Sequence, residues 1–151
     1  MNEKSKVKNL SDFPVSWKKM TLVGDEYLKA NSSTFILNSE IETQVESGNK
    51  FFTGTDGLGS HAMVYIENEE LREHFRFDCK EENRKQFILD DEKCKAILDY
   101  KMLATFKKHL EDDVVTISEK MKIMNYARKV KLNEHDRIKA LEEHCKIKFE
   151  S

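Results

Sequence analysis

Cysteine and proline are scarce in this sequence. There are three cysteines and one proline among 151 residues. An odd number of cysteines at irregular spacing makes no complete disulfide framework, so we expect Cys79, Cys94 and Cys145 to be free thiols in a reducing compartment. This excludes the small secreted domains that disulfides hold together.

Long apolar runs and an excess of one charge are also missing. No apolar stretch approaches the roughly 20 residues of a membrane-spanning helix, and residues 1–6 precede no apolar signal core. We therefore expect a cytoplasmic protein without membrane contact, in the host cytoplasm if a phage encodes it. The 26 basic and 28 acidic side chains give a net charge of −2, which argues against nucleic-acid binding driven by bulk charge.

The chain is instead rich in charges of both signs. Charged residues make up 36% and hydrophobic residues 38% of the sequence, which indicates a folded core with an extensively solvated exterior. Lysine outnumbers arginine 21 to 5, a ratio typical of AT-rich coding. No motif matches a known family. In size, composition and lack of a catalytic signature, the chain resembles the small accessory proteins of bacteriophages.

The hydrophobic pattern changes along the chain from strand-like to helix-like. Residues 1–12 are almost devoid of apolar side chains, and we expect a flexible tail there. Short β-branched and aromatic runs predict an antiparallel β-rich part over residues 13–89. Residues 90–151 are predicted to form a bundle of about three amphipathic helices, packed with 13–89 as one domain. The predicted fold class is therefore α+β.

Five segments of the β-rich part are predicted to be strands. They are residues 20–23, 33–37, 39–46, 50–53 and 61–66. A short helix competes with the strand over 39–46, because Ser39 and Glu42 fit a capping box.

The apolar period of the last third predicts a long first helix that begins at Asp90 or Asp91 and ends at 111–113. Its apolar stripe, at steps of four residues, consists of Cys94, Leu98, Met102, Phe106 and Leu110. A second helix is predicted to begin at Thr116 or Ser118, and a third at Asn133.

A glycine-rich loop, residues 53–61, holds three of the five glycines. Glycine allows close backbone approach to a ligand, and successive amides in such a loop can bind an anion. The candidate ligand-binding residues are Gly54, Asp56, Gly57, Gly59, Ser60 and His61. The loop matches neither common phosphate-binding pattern, because no Gly-Lys-Ser/Thr ends it and a strand is expected to follow. A structural connection between two strands is the competing interpretation.

The sequence offers no convincing catalytic or metal-binding set. Ser60 and His61 are neighbours in an expected strand, so their side chains would point to opposite faces. The histidines and cysteines lack the two tight ligand pairs of a structural zinc site. We therefore predict no catalytic residue, no metal and no cofactor, and a protein that is not an enzyme.

A basic segment, residues 120–139, is the predicted partner-binding surface. Its basic residues are Lys120, Lys122, Arg128, Lys129, Lys131, Arg137 and Lys139. A plain solvated helix face is the competing interpretation. The leading prediction is a non-enzymatic accessory protein that binds a macromolecule, first of all a protein. A small-ligand binder or enzyme using the 53–61 loop is one alternative, and nucleic-acid binding through the basic segment is another.

Overall fold

The computed structural model describes residues 3–149, which contain five strands and seven helices. The strands are β1 (Lys4–Asn9), β2 (Val15–Lys18), β3 (Asp25–Leu28), β4 (Ser33–Leu37) and β5 (Val64–Ile66). The helices are α1 (Asn38–Glu46), α2 (Lys50–Thr53), α3 (Glu69–His74), α4 (Asp91–Leu98), α5 (Leu103–Asp113), α6 (Ile117–Lys129) and α7 (His135–Cys145).

The chain divides into two compact units, Met1–Ile88 and Leu89–Ser151. Antiparallel sheets lie in the first unit and four helices make up the second, which confirms the predicted α+β class. The prediction that the two parts pack as one domain stays a prediction.

β1 is the central strand of a three-stranded antiparallel sheet with the order β4-β1-β5. Val7 and Asn9 on its inner face are fully buried. The Asn9 side-chain amide donates to the carbonyl oxygens of Phe13 at 2.9 Å and Leu28 at 3.2 Å, and its oxygen accepts from the Ser11 N–H at 2.9 Å. At this end of β1, the hydrogen bonds of the buried Asn9 side chain therefore hold the strand in place where an apolar side chain would otherwise pack.

The expected flexible tail over residues 1–12 is therefore wrong for residues 4–9. A strand that lies between two others has its backbone groups paired on both sides, so it needs few apolar side chains. Residues 1–2 of the predicted tail, and residues 150–151 of the predicted helical part, lie outside the described residues.

The core of the first unit joins the three-stranded sheet, the β2–β3 hairpin and the helices α1 and α2. Its buried members are Val7, Val15, Trp17, Leu28, Ile36, Ile41, Phe52, Val64, Ile66 and Phe77. The rings of Trp17 and Phe52 meet edge to face with centroids 5.1 Å apart. Such a pair contributes about 1 kcal/mol beyond its buried area.

Two predicted strands are helices. Residues 39–46 lie in α1, so the competing helix is the correct alternative there, and residues 50–53 form α2. The buried face of α1 carries Glu40, Ile41 and Gln44. Because two of these three side chains are polar, the apolar residues alone do not show the helical period.

The remaining strand predictions are correct in part. Residues 33–37 are β4, as predicted. The strand predicted over 61–66 begins only at Val64, and residues 20–23 form the tip of the β2–β3 hairpin rather than a strand.

The second unit has four helices because the predicted long helix is interrupted. α4 ends at Leu98 and α5 begins at Leu103, while Met102 of the predicted apolar stripe is 69% exposed. The buried Arg137 side chain donates to the carbonyl oxygens of Leu98, at 3.2 Å, and of Tyr100. These carbonyls would accept helical hydrogen bonds if the helix continued, so Arg137 stabilises the break.

The helix starts agree closely with the predictions. Asp90 caps α4, and Thr116 caps α6 in a capping box with Glu119. The N-cap of α7 is Glu134, one residue after the predicted Asn133. α4 packs against α5 and α6, and α7 packs against the same two helices.

We predict that Arg137→Ala destabilises the second unit by about 3 kcal/mol, because several carbonyl groups lose a charged donor. Lys139→Ala, an exposed site on the same helix, is the control and should change the free energy of unfolding by less than about 0.5 kcal/mol. Urea unfolding measures both. Equal losses in the two variants would contradict this role of Arg137.

Candidate functional site

The glycine-rich loop is closed by its own hydrogen bonds. Oδ1 of Asp56 accepts from the backbone N–H of Leu58 at 2.8 Å and of Ser60 at 3.2 Å. The Gly59 N–H donates to the Thr53 carbonyl at 2.7 Å. Amides that an anion would need are therefore engaged within the loop itself.

Arg84 fastens this loop to the segment that follows α3. Its Nη2 lies 3.0 Å from Oδ2 of Asp56, and its Nη1 donates to the Arg76 and Phe77 carbonyls at 2.8 Å each. Burial alone would raise the pKa of Asp56, but hydrogen bonds from Leu58 and Ser60 and the Arg84 charge outweigh burial and lower that pKa. Asp56 is thus an ionised acceptor that holds the loop closed.

Close packing explains two of the three loop glycines. A Cβ atom on Gly54 would collide with the Ser60 carbonyl oxygen, and one on Gly59 would lie 2.8 Å from the Phe77 ring. Both residues have positive φ angles, 71° and 87°. A Cβ atom on Gly57 would meet nothing within 4 Å. At Gly54 and Gly59, the close approach of the loop backbone is therefore to other groups of this protein.

Ser60 and His61 do not lie in a strand, contrary to expectation. His61 has a φ angle of 63°, and its ring centroid lies 4.9 Å from that of Phe87. The Ser60 hydroxyl oxygen accepts from the Phe87 N–H at 3.1 Å. Both residues therefore fasten the loop to the chain near Phe87. The loop connects α2 to β5, and not two strands as the competing interpretation had it.

The predicted basic surface is not one surface. Lys122 is buried with its Nζ 3.8 Å from the Asp91 carboxylate, and Arg137 is buried as described above. Arg128 donates to the backbone carbonyls of Phe149, at 2.9 Å, and Lys148. The prediction is therefore wrong for Lys122 and Arg137, because both face partners that are distant in sequence.

Five residues of the basic segment keep some exposure. Lys129, Lys131 and Lys139 are exposed, and Lys120 and Arg128 are half-buried. Partner binding through these residues stays a prediction.

The tip of the β2–β3 hairpin, Met20–Val23, exposes apolar side chains. Met20 is 54%, Leu22 52% and Val23 98% exposed. The Lys19 N–H donates to the Gly24 carbonyl at 2.9 Å and closes the turn at the base of the tip. This apolar run was predicted to be a strand, and its apolar pattern does not distinguish a buried strand from an exposed tip.

A buried carboxylate fixes the tip. Glu40 of α1 is 2% exposed. Its carboxylate accepts from the Met20 N–H at 3.0 Å, the Thr21 N–H at 2.7 Å and the Thr21 hydroxyl at 2.7 Å. The Gln44 side-chain amide donates to the same carboxylate at 2.7 Å and to the Lys18 carbonyl at 2.9 Å. The start of the tip is therefore held against α1 by several hydrogen bonds to one charge.

Charges of opposite sign flank the tip. Lys18 and Lys19 precede it, and Asp25 and Glu26 follow it. Lys18 is paired with Asp25 across the hairpin in the strand register. The base of the tip is therefore electrically balanced, with the apolar side chains beyond it.

Other kinds of site find no support among residues 3–149. No group of three or more histidine, cysteine, aspartate or glutamate side chains in this range could hold a metal ion. Within the same range, no helix has both the length and the apolar character needed to cross a bilayer.

For the glycine-rich loop, we predict that Gly59→Ala lowers the free energy of unfolding by about 3 kcal/mol, through overpacking against Phe77 and backbone strain. Gly57→Ala should cost only about 1 kcal/mol, from strain alone. Urea unfolding measures the difference, and inorganic phosphate should leave the wild-type midpoint unchanged. A phosphate-induced rise that Gly57→Ala abolishes would show a ligand loop instead.

For the tip, we predict an acid-sensitive contribution from Glu40. Burial would raise the pKa of Glu40, but the hydrogen bonds from Thr21, Gln44 and Met20 outweigh it and lower the pKa below 4.5. The stabilisation is therefore complete above pH 4.5 and is lost as the pH falls through the lowered pKa.

Denaturation of wild-type protein and Glu40→Gln at a series of pH values tests this sign. The stability difference between them should be largest near neutral pH and shrink in acid. Glu46→Gln, at the exposed end of α1, is the control and should follow the wild type. A difference between wild type and Glu40→Gln that does not change with pH would be inconsistent with an ionised Glu40.

Comparison with known proteins gives no assignment for either unit. No protein-family model matches the chain, and no curated protein or solved structure matches it significantly.

Proposed function

We propose that this chain is a non-enzymatic accessory protein that docks its hairpin tip into an apolar pocket of a partner protein. The proposal rests on one observation. The side chains of Met20, Leu22 and Val23 are exposed at a tip whose backbone is hydrogen-bonded to Glu40. The cytoplasmic setting, or the host cytoplasm for a phage-encoded chain, belongs to the same proposal.

The energetics favour a docking role for the tip. Burying an exposed valine or leucine side chain at an interface contributes about 1.5–3 kcal/mol. A loop that is already ordered loses less conformational entropy when it binds. Glu40 provides that order, and its burial is tolerated because the carboxylate is fully engaged in hydrogen bonds.

The charge pattern around the tip favours a protein as the partner. Nucleic acids and anionic membranes attract surfaces with an excess of positive charge. The two lysines before the tip are balanced by Asp25 and Glu26 after it. Recognition therefore depends on apolar fit, and an apolar anchor within a polar rim is typical of protein interfaces.

Site-specific crosslinking tests the proposal. A photoreactive amino acid replaces Leu22 in the tip or, as the matched control, Ile117, which is 77% exposed in the second unit. In a lysate of the source cells, the Leu22 probe should crosslink to one discrete protein that the Ile117 probe does not capture. The captured protein is then identified and purified.

Affinity measurements with that purified partner complete the test. Val23→Glu should weaken binding at least tenfold, because it places a charge in an apolar pocket, while Ile117→Glu should leave the affinity unchanged. If both probes crosslink the same background proteins, or if Val23→Glu binds as tightly as wild type, the tip is not the docking element.

A further inference from the structure

A second surface of the first unit combines positive charge with aromatic rings. The outward residues of β1 are Lys4, Lys6 and Lys8, at alternate positions of the central strand. Lys4 and Lys6 are exposed and Lys8 is half-buried. Alternate residues of a strand project from the same face about 6.6 Å apart. Three ammonium groups therefore form a row across the middle of the sheet.

Aromatic side chains flank this row on both neighbouring strands. Phe35 of β4 is paired with Lys6 in the register and is 63% exposed. Tyr65 of β5 is paired with Lys8 and is half-buried. The Arg72 guanidinium lies 4.9 Å from the Tyr65 ring centroid and contributes to holding that ring in place. We call the face formed by the three lysines, Phe35 and Tyr65 the sheet face.

The sheet face keeps a net positive charge. The carboxylate of Glu67 lies 3.7 Å from Nζ of Lys6, and the side chains of Lys6 and Glu67 are 47% and 38% exposed. An exposed ion pair of this kind contributes little and is screened by salt. The ammonium groups of Lys4, Lys6 and Lys8 repel one another along β1, and a bound polyanion would relieve that repulsion.

We infer that the sheet face binds single-stranded nucleic acid, with the lysines on phosphates and Phe35 stacked on a base. A positively charged track with aromatic platforms is the combination that single strands require, because their unpaired bases expose π faces. A duplex hides those faces and is read instead by elements that enter its grooves. This function is separate from docking through the hairpin tip, because it uses different residues on different strands.

Fluorescence anisotropy with a labelled oligothymidylate tests the inference on the full chain. Replacing Lys4, Lys6 and Lys8 together by glutamine should weaken binding at least tenfold. It should also reduce the slope of log affinity against log salt by about 2, since each phosphate contact contributes about 0.7 for single strands. The matched control replaces Lys101, Lys107 and Lys108, three exposed lysines outside every candidate surface, by glutamine and should leave the affinity within about twofold.

Phe35 supplies a test that does not depend on charge. Phe35→Leu keeps an apolar side chain but removes the stacking surface, and should weaken binding about fivefold or more. Phe35→Tyr keeps an aromatic ring and should bind the oligonucleotide like wild type. Val23→Glu, which disables the proposed tip, should bind the oligonucleotide like wild type. Circular dichroism and thermal unfolding confirm that each variant is folded.

Several results would overturn the inference. Equal losses in the two triple-lysine variants would show non-specific attraction, and unchanged binding by Phe35→Leu would remove base stacking. If poly-glutamate displaced the labelled oligonucleotide as effectively as unlabelled oligothymidylate does, the sheet face would be a site for acidic peptides. Absence of oligonucleotide binding by wild-type protein at low salt would contradict the inference directly.

Discussion

The buried carboxylate of Glu40 is the interaction on which the arrangement of the first unit depends. It binds the hairpin tip to α1 and shares the Gln44 amide with the end of β2. The Gln44 side-chain oxygen accepts in turn from Asn49, the residue that caps α2. A tip that moved away would leave the buried charge with the Gln44 amide as its remaining donor among those described, which is costly in a protein interior. The hairpin and the two helices are therefore coupled through one network.

Charged side chains elsewhere in the fold also stabilise irregular backbone. Arg72 donates to the carbonyls of Ile66 and Glu67, and Arg84 to those that follow α3. Arg137 does the same at the end of α4. A guanidinium group has five donors in a fixed geometry and suits such clusters of carbonyl oxygens. A large fraction of charged residues therefore need not mean a large binding surface, because part of it stabilises the backbone.

The sequence predicts those features that depend on neighbouring residues. Fold class and the capping residues Asp90 and Thr116 follow from local patterns. The central position of β1 depends on its pairing with β4 and β5, and the break before α5 depends on the contact of Arg137 with Leu98. A single sequence does not show such distant polar partners.

The candidate surfaces were missed for the same reason. An apolar run such as residues 20–23 is typical of a buried strand, and its exposure follows only from the hydrogen bonds to Glu40. The basic segment was assigned as a surface because charge in a sequence indicates solvent, whereas the burial of Lys122 beside Asp91 is a property of the packed helices. Lys4, Lys6 and Lys8 share one face only because residues 4–9 form a strand, and the sequence did not predict that strand.

Backbone amide hydrogen exchange in the free protein tests most directly whether the apolar tip is held in a fixed conformation. The N–H groups of Met20 and Thr21, which donate to Glu40, should be protected to a degree similar to those of β2 and β3. Glu40→Gln should reduce their protection while leaving the central strand β1 unchanged. Rapid exchange of both amides in the wild-type protein, at the rate of an open loop, would show that Glu40 does not hold the tip.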